Sequence, residues 1–127
     1  MKIVDTNIVL RWLLADHNEL SAKAEKIVNK SKPSTLMVTD VIVAEIVYVL
    51  IGLGKNRTQV FEAINLLIRT IEFKFENELI ISKTNQYIKI TKLDFADCYL
   101  LARSVIEKNE ILSFDNALNK EYIKSVS

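Results

Sequence analysis

Residues 36–54 read LMVTDVIVAEIVYVLIGLG. Two elements share that stretch. Leu36-Met37-Val38 is apolar on successive residues, so it reads as a short strand buried on both faces. Thr39 or Asp40 then caps a helix from Val41 to about Leu53, and Gly52 and Gly54 end it. A buried strand leading straight into a helix is half of a βαβ unit, and the same order recurs on either side.

Toward the N-terminus, Lys2-Ile3-Val4 is a second buried strand that ends at Asp5. Thr6 or Asn7 caps a helix through about Leu14. A further helix, from about Glu19 to Asn29, carries Leu20, Ala24, Ile27 and Val28 at helical spacing. Toward the C-terminus, a helix from about Thr58 to Arg69 has an apolar face of Val60, Phe61, Ile64, Leu67 and Ile68. Ile71 to Phe75 alternates and reads as a short strand. A helix runs from about Glu78 to Thr91, and Asp94 caps another from Phe95 to about Lys108. Ile111-Leu112-Ser113 is a further apolar run, read as a strand. A short helix at Asn116–Lys120 and a final strand at Tyr122–Val126 close the chain. Short apolar strands alternating with helices predict a three-layered α/β fold with a parallel sheet covered on both faces.

Composition bounds the function. The chain has 127 residues, which suits one domain spanning 1–127. Hydrophobic residues make up 50% and charged residues 26%, an ordinary globular mixture. Lys+Arg is 17 and Asp+Glu is 16, so the net charge is 17 − 16 = +1, which argues against a polybasic nucleic-acid coat. Cys98 is the only cysteine, so there is no internal disulfide and no Cys-based zinc site. His17 is the only histidine, which removes Ser-His-Asp triads and paired-His metal sites. The longest apolar stretch, Val41 to Gly54, is 14 residues and contains Glu45, against the ~20 a membrane span needs. No targeting segment is visible, and the expectation is a cytoplasmic protein without membrane contact.

Acids then carry the chemistry. Open parallel sheets bind ligands at the carboxyl ends of their strands. Asp5 ends the first strand, and Asp115 lies just past Ile111–Ser113. Glu45 lies in the second turn of the helix that follows Leu36–Val38. That helix is apolar all round, so the expectation is burial on most sides, where a carboxylate needs a partner. No Lys or Arg lies within one turn of Glu45. Asp97 follows Asp94 by three residues, a capping spacing, and strand geometry alone does not bring it to the same edge. Capping is also open for Asp115 and for Asp5-Thr6-Asn7. Converging carboxylates repel, by about 4 kcal/mol per pair at 4 Å and an effective dielectric of 20, unless a proton or a cation sits among them. An all-oxygen ligand set suits Mg²⁺ or Mn²⁺, and the chemistry this points to is metal-assisted phosphodiester hydrolysis. His17 reads as a loop residue and Cys98 as a small core residue. Lys23, Lys26 and Lys30 read as a solvated helix face. Arg11 and Arg103 are candidates for a phosphate or a carboxylate.

Four segments together resemble the PIN-domain ribonucleases, in particular the VapC-type toxins of type II toxin–antitoxin systems. They are Ile3-Val4-Asp5-Thr6-Asn7, Ala44-Glu45-Ile46, Asp94-Phe95-Ala96-Asp97 and Leu112-Ser113-Phe114-Asp115. The resemblance covers essentially the whole chain. It implies a three-layer α/β/α sandwich around a mainly parallel sheet of four or five strands. It implies that Asp5, Glu45, Asp97 and Asp115 converge on Mg²⁺ or Mn²⁺, with Asn7 and Ser113 supporting by hydrogen bonds. The implied activity is endonucleolytic cleavage of RNA, tRNA or rRNA loops being typical targets. The implied partners are a small antitoxin protein and a second copy in a homodimer. A non-catalytic PIN-like module that holds RNA or protein is the alternative. An aspartyl-nucleophile phosphatase is disfavoured, because Asn7 stands where such enzymes want a second Asp.

Overall fold

The structure is a computed structural model that describes residues 1–127. The chain divides into two compact units, Met1–Glu78 and Leu79–Ser127.

In the first unit three short strands form one parallel sheet: β1 (Lys2–Ile3), β2 (Leu36–Val38) and β3 (Phe73–Phe75), in the order β1-β2-β3. Leu36 pairs with Phe73 and Val38 with Phe75. All four are buried, because alternate residues of a strand point to one face. The row between them is Ile3, Met37 and Lys74. Ile3 is 71% exposed, Met37 half-buried and Lys74 exposed. The sheet of this unit thus has one dry face, and the expected burial of successive strand residues reduces to alternation.

Four helices complete the unit: α1 (Thr6–Leu14), α2 (Asn18–Lys30), α3 (Asp40–Gly52) and α4 (Arg57–Arg69). α1 packs on α2 and α3, α3 on α4, and α4 on β3. Each helix start is fixed by a side chain that accepts an orphan backbone N–H. Of Asp5, Thr6 and Asn7, for which the sequence leaves capping open, Asp5 is the cap and takes Ile8 N at 3.1 Å. Thr39 takes Ile42 N at 3.3 Å. Asn56 and Gln59 form a reciprocal capping box, both bonds at 2.9 Å. His17, expected in a loop, caps α2 through Nδ1 on Leu20 N at 3.1 Å. Beyond α3, Gly54 takes φ +87°, the left-handed conformation that lets Lys55 N return to Leu50 O at 3.0 Å. Val43, Ile46, Val47 and Leu50 form the buried side of α3, at i, i+3, i+4 and i+7. Trp12 meets Phe73 edge to face, with centroids 5.3 Å apart.

The second unit is helical: α5 (starting at Glu78 and ending at Ile90), α6 (Phe95–Glu107) and α7 (Asn116–Val126). Ile81, Leu101, Ala102 and Leu118 are its dry centre. Cys98 is buried among them, as expected of a small core residue. The Tyr87 hydroxyl donates to Ser125 Oγ at 3.1 Å and ties α5 to α7.

Two expected strands are absent, so the sheet has three strands in place of four or five. Ile111–Ser113 is irregular, with Leu112 95% exposed. Its polar groups are used locally: Asn119 Nδ2 donates to Ser113 O at 2.9 Å, and Asp115 N donates to Ser113 Oγ at 2.9 Å. Such side-chain bonds compete with a strand ladder. The final strand is also missing, because α7 continues to Val126. Leu118, Glu121, Tyr122 and Ser125 are its more sheltered positions, a helical period that overrides the apolar appearance of Tyr122–Val126. No helix is long and apolar enough to cross a membrane.

Candidate active site

Asp5 and Glu45 belong to the first unit. Asp5 lies past the end of β1 and caps α1, which occupies Oδ1 and leaves Oδ2 without a hydrogen bond. Glu45 is exposed on α3, beside Val41 and Tyr48, the latter 80% exposed. The expectation of a carboxylate buried on most sides is corrected here. α3 buries a single face, and an apolar composition alone overstated its burial. Glu45 nevertheless has a partner. The Thr6 hydroxyl donates a short hydrogen bond to Oε2. Sequence reading treated Thr6 only as a cap. Its signal was its place immediately after the strand-ending Asp5, where a short hydroxyl reaches across from α1 to α3. Asn7 is exposed on the same turn.

Asp97 and Asp115 belong to the second unit. Asp94 caps α6 by accepting from Asp97 N at 3.0 Å, as its spacing predicted. Asp115 caps α7 through Leu118 N at 2.9 Å. Ser113 supports Asp115 by accepting from its backbone N–H. Burial pushes the Asp97 carboxyl above its ordinary value, helped by the charges of Asp94 and Asp115 and by a side-chain hydrogen bond with Asp94. These carboxylates are therefore close enough to feel one another.

The four acids share two properties. None forms an ion pair: Arg11 takes Asp16 at 3.2 Å, and Arg103 takes Glu107 at 2.8 Å. Lys23 pairs with Glu19 and Lys124 with Glu121. All donors are carboxylate oxygens, and the bonds to Ile8, Thr6 and Leu118 each engage one oxygen of Asp5, Glu45 and Asp115. Within neither unit do three His, Cys, Asp or Glu side chains gather as a metal-holding group. Hard oxygen donors left without a cation fit a hard divalent ion, so the residues suit Mg²⁺ or Mn²⁺ in type.

The signature described as PIN domain matches residues 2–122. The chain belongs to the PIN domain family. No curated protein and no solved structure matches it. PIN domains have an α/β nuclease fold and are typically metal-dependent nucleases, which generally use Mg²⁺ or Mn²⁺. Here the match spans both compact units, and it contains all four acids.

Proposed function

We propose that this PIN-domain chain is a metal-dependent endoribonuclease that acts as the toxin of a toxin–antitoxin pair, with residues 1–127 working as one domain. The observation that carries the reading is the shared state of Asp5, Glu45, Asp97 and Asp115. All lie inside the family match, and none is neutralised by a cation. At Asp97 the like charges of Asp94 and Asp115 carry a cost that a divalent ion would relieve.

In this reading the four acids hold Mg²⁺ or Mn²⁺. The ion, when bound, polarises the phosphate and lowers the pKa of an attacking water. Thr6 fixes the Glu45 carboxylate, and Ser113 fixes the backbone that carries Asp115. Asp5 and Asp115 are held by their own capping bonds, so their free oxygens start from a fixed direction. Burial and the charges of Asp94 and Asp115 raise the Asp97 pKa, so this carboxylate gains the most from a nearby cation. The substrate is RNA, with tRNA or rRNA loops as targets, and the protein acts in the cytoplasm. An antitoxin protein and a second copy in a homodimer are the protein partners. Exposed Val41, Tyr48 and Ile51 on α3 support such contacts, because clustered apolar surface marks protein interaction sites.

Purified protein incubated with total RNA tests this, with Mg²⁺, Mn²⁺ and chelator arms and Asp97→Asn in parallel. Metal-dependent cutting by wild type alone is the expected result. Cutting that survives in chelator, or that Asp97→Asn retains in full, defeats the assignment. RNA binding without cutting by either protein points instead to a non-catalytic PIN-like module. Growth arrest on expression, absent for Asp97→Asn, is the expected mark of the toxin role.

A further inference from the structure

Helix α6 carries a column of side chains that the acids do not use. Phe95, Tyr99, Arg103 and Glu107 stand four residues apart, so they share one stripe of the helix. The Phe95 and Tyr99 rings are stacked, with centroids 6.0 Å apart and planes 25° from parallel. Arg103 extends the column. Its Nη1 donates to the Tyr99 hydroxyl at 2.8 Å, and its guanidinium carbon lies 5.6 Å from the ring centroid. Glu107 grips the guanidinium from the far side, at 2.9 Å from Nε and 2.8 Å from Nη2.

α6 already buries Cys98, Leu101, Ala102 and Ser104, while Phe95, Tyr99 and Arg103 are only half-buried. Ordering four long side chains in one stripe costs rotamer entropy. The column also begins at a telling place. Phe95 lies between Asp94 and Asp97 in the first turn. From Phe95 to Arg103 the helix rises about 12 Å, the length of roughly three stacked bases.

We infer that the Phe95–Tyr99–Arg103 column is a stacking platform for unpaired RNA bases, which holds the strand next to the acids at the start of α6. The inference rests on the ribonuclease reading above. Aromatic rings and a guanidinium plane offer flat faces that any base can stack on. Glu107 neutralises Arg103, so the platform contributes planar contact and little attraction for phosphate. Its contribution to binding is therefore insensitive to salt, unlike a lysine patch that works by counterion release.

The test reads binding of a fluorescent single-stranded oligouridylate and of an abasic ribose-phosphate strand of equal length. An Asp5→Asn background keeps the RNA intact. Phe95→Leu keeps apolar bulk and loses the ring, and Tyr99→Ala removes the centre of the column. Each is expected to weaken oligouridylate binding at least about fivefold, by the same factor at low and high salt, with no change on the abasic strand. Phe95→Trp is expected to keep affinity and to show indole emission quenched by RNA. Unchanged binding by Phe95→Leu, an equal loss on the abasic strand, or unmoved indole emission overturns the platform. Phe95→Leu in the otherwise native chain separates the two readings. If it cuts RNA as wild type does, the platform falls and the nuclease stands. If the native chain neither cuts nor binds RNA, both fall.

Discussion

In the first unit, Asp5 and Glu45 face solvent, each steadied by one neutral donor, a backbone amide and a threonine hydroxyl. In the second, burial pushes the Asp97 carboxyl toward the protonated form, and the neighbouring charges of Asp94 and Asp115 add to it. The first pair is thus positioned by neutral donors in water, while Asp97 is held partly buried beside two like charges. Helix caps explain how the second arrangement survives. The N–H groups that Asp94 and Asp115 accept from Asp97 and Leu118 put positive helix ends against the negative cluster. Repulsion and capping act on the same side chains there, so charge and shape must be tested apart.

The largest expected effect joins the two regions. If acids of both units serve one metal centre, Asp5→Asn and Asp97→Asn should each lower kcat/KM by more than the roughly 10–100-fold that loss of a partner behind a metal ligand costs. The double variant should then be little worse than either single one, because groups that act as a unit are not additive. A double variant whose loss is the product of the singles would separate the two acids into independent roles.

Next in size is the response to losing a supporting hydroxyl. Thr6→Val keeps the shape of the side chain and removes the donor to Glu45. Cleavage should drop roughly tenfold, with Thr6→Ser restoring most of it. The melting temperature should barely move, since Glu45 stands in water either way. A Thr6→Val protein with full activity would leave the first unit with a single positioned acid.

Capping gives a smaller, purely structural effect. Asp115→Ala should lower stability by about 1 kcal/mol in denaturant titrations, while Asp115→Asn, itself a good cap, should not. Both should lose cleavage. Equal stability of the Ala and Asn variants would mean that relief of repulsion offsets the lost cap, and the second unit would then be more strained than its geometry implies.

What the sequence made legible follows the same division. Local signals were reliable in both units. The helix starts at Thr39, Asp94 and Asp115 follow from short acceptors placed before periodic apolar residues. The strands at Lys2, Leu36 and Phe73 and their parallel order were also accessible. Long-range consequences were not. An apolar run at Ile111–Ser113 resembles a strand, but strand formation needs a neighbour, and Ser113 and Asn119 satisfy the backbone locally. Tyr122–Val126 resembles a strand because a five-residue apolar-rich stretch carries too little periodicity to separate strand from helix, and α7 takes it instead. Composition points to a buried Glu45, yet it reports how apolar a helix is, not how many of its faces are covered. The Thr6 bond spans 39 residues of sequence and has no local signature beyond its position after Asp5.

The smallest expected effect reads the cost of charging Asp97, which burial sets first and the charges of Asp94 and Asp115 add to. The folded chain holds the Asp97 proton more tightly than the unfolded chain does, whose ordinary value is 3.8. Neutral Asp97 therefore supports the fold below that value, and the support is lost as the pH rises through the raised one. Wild type should lose stability across that window for this reason, and Asp97→Asn should not. At neutral pH the variant should melt higher, by on the order of 1–3 °C, and the gap should close as the pH falls below the ordinary carboxylate value. Adding Mg²⁺ at neutral pH should then raise the wild-type melting temperature and leave Asp97→Asn nearly where it was, since an ion stabilises only the fold that binds it. A magnesium response equal in both proteins would keep the repulsion at Asp97 as a feature of the helix cap and remove it from the metal centre.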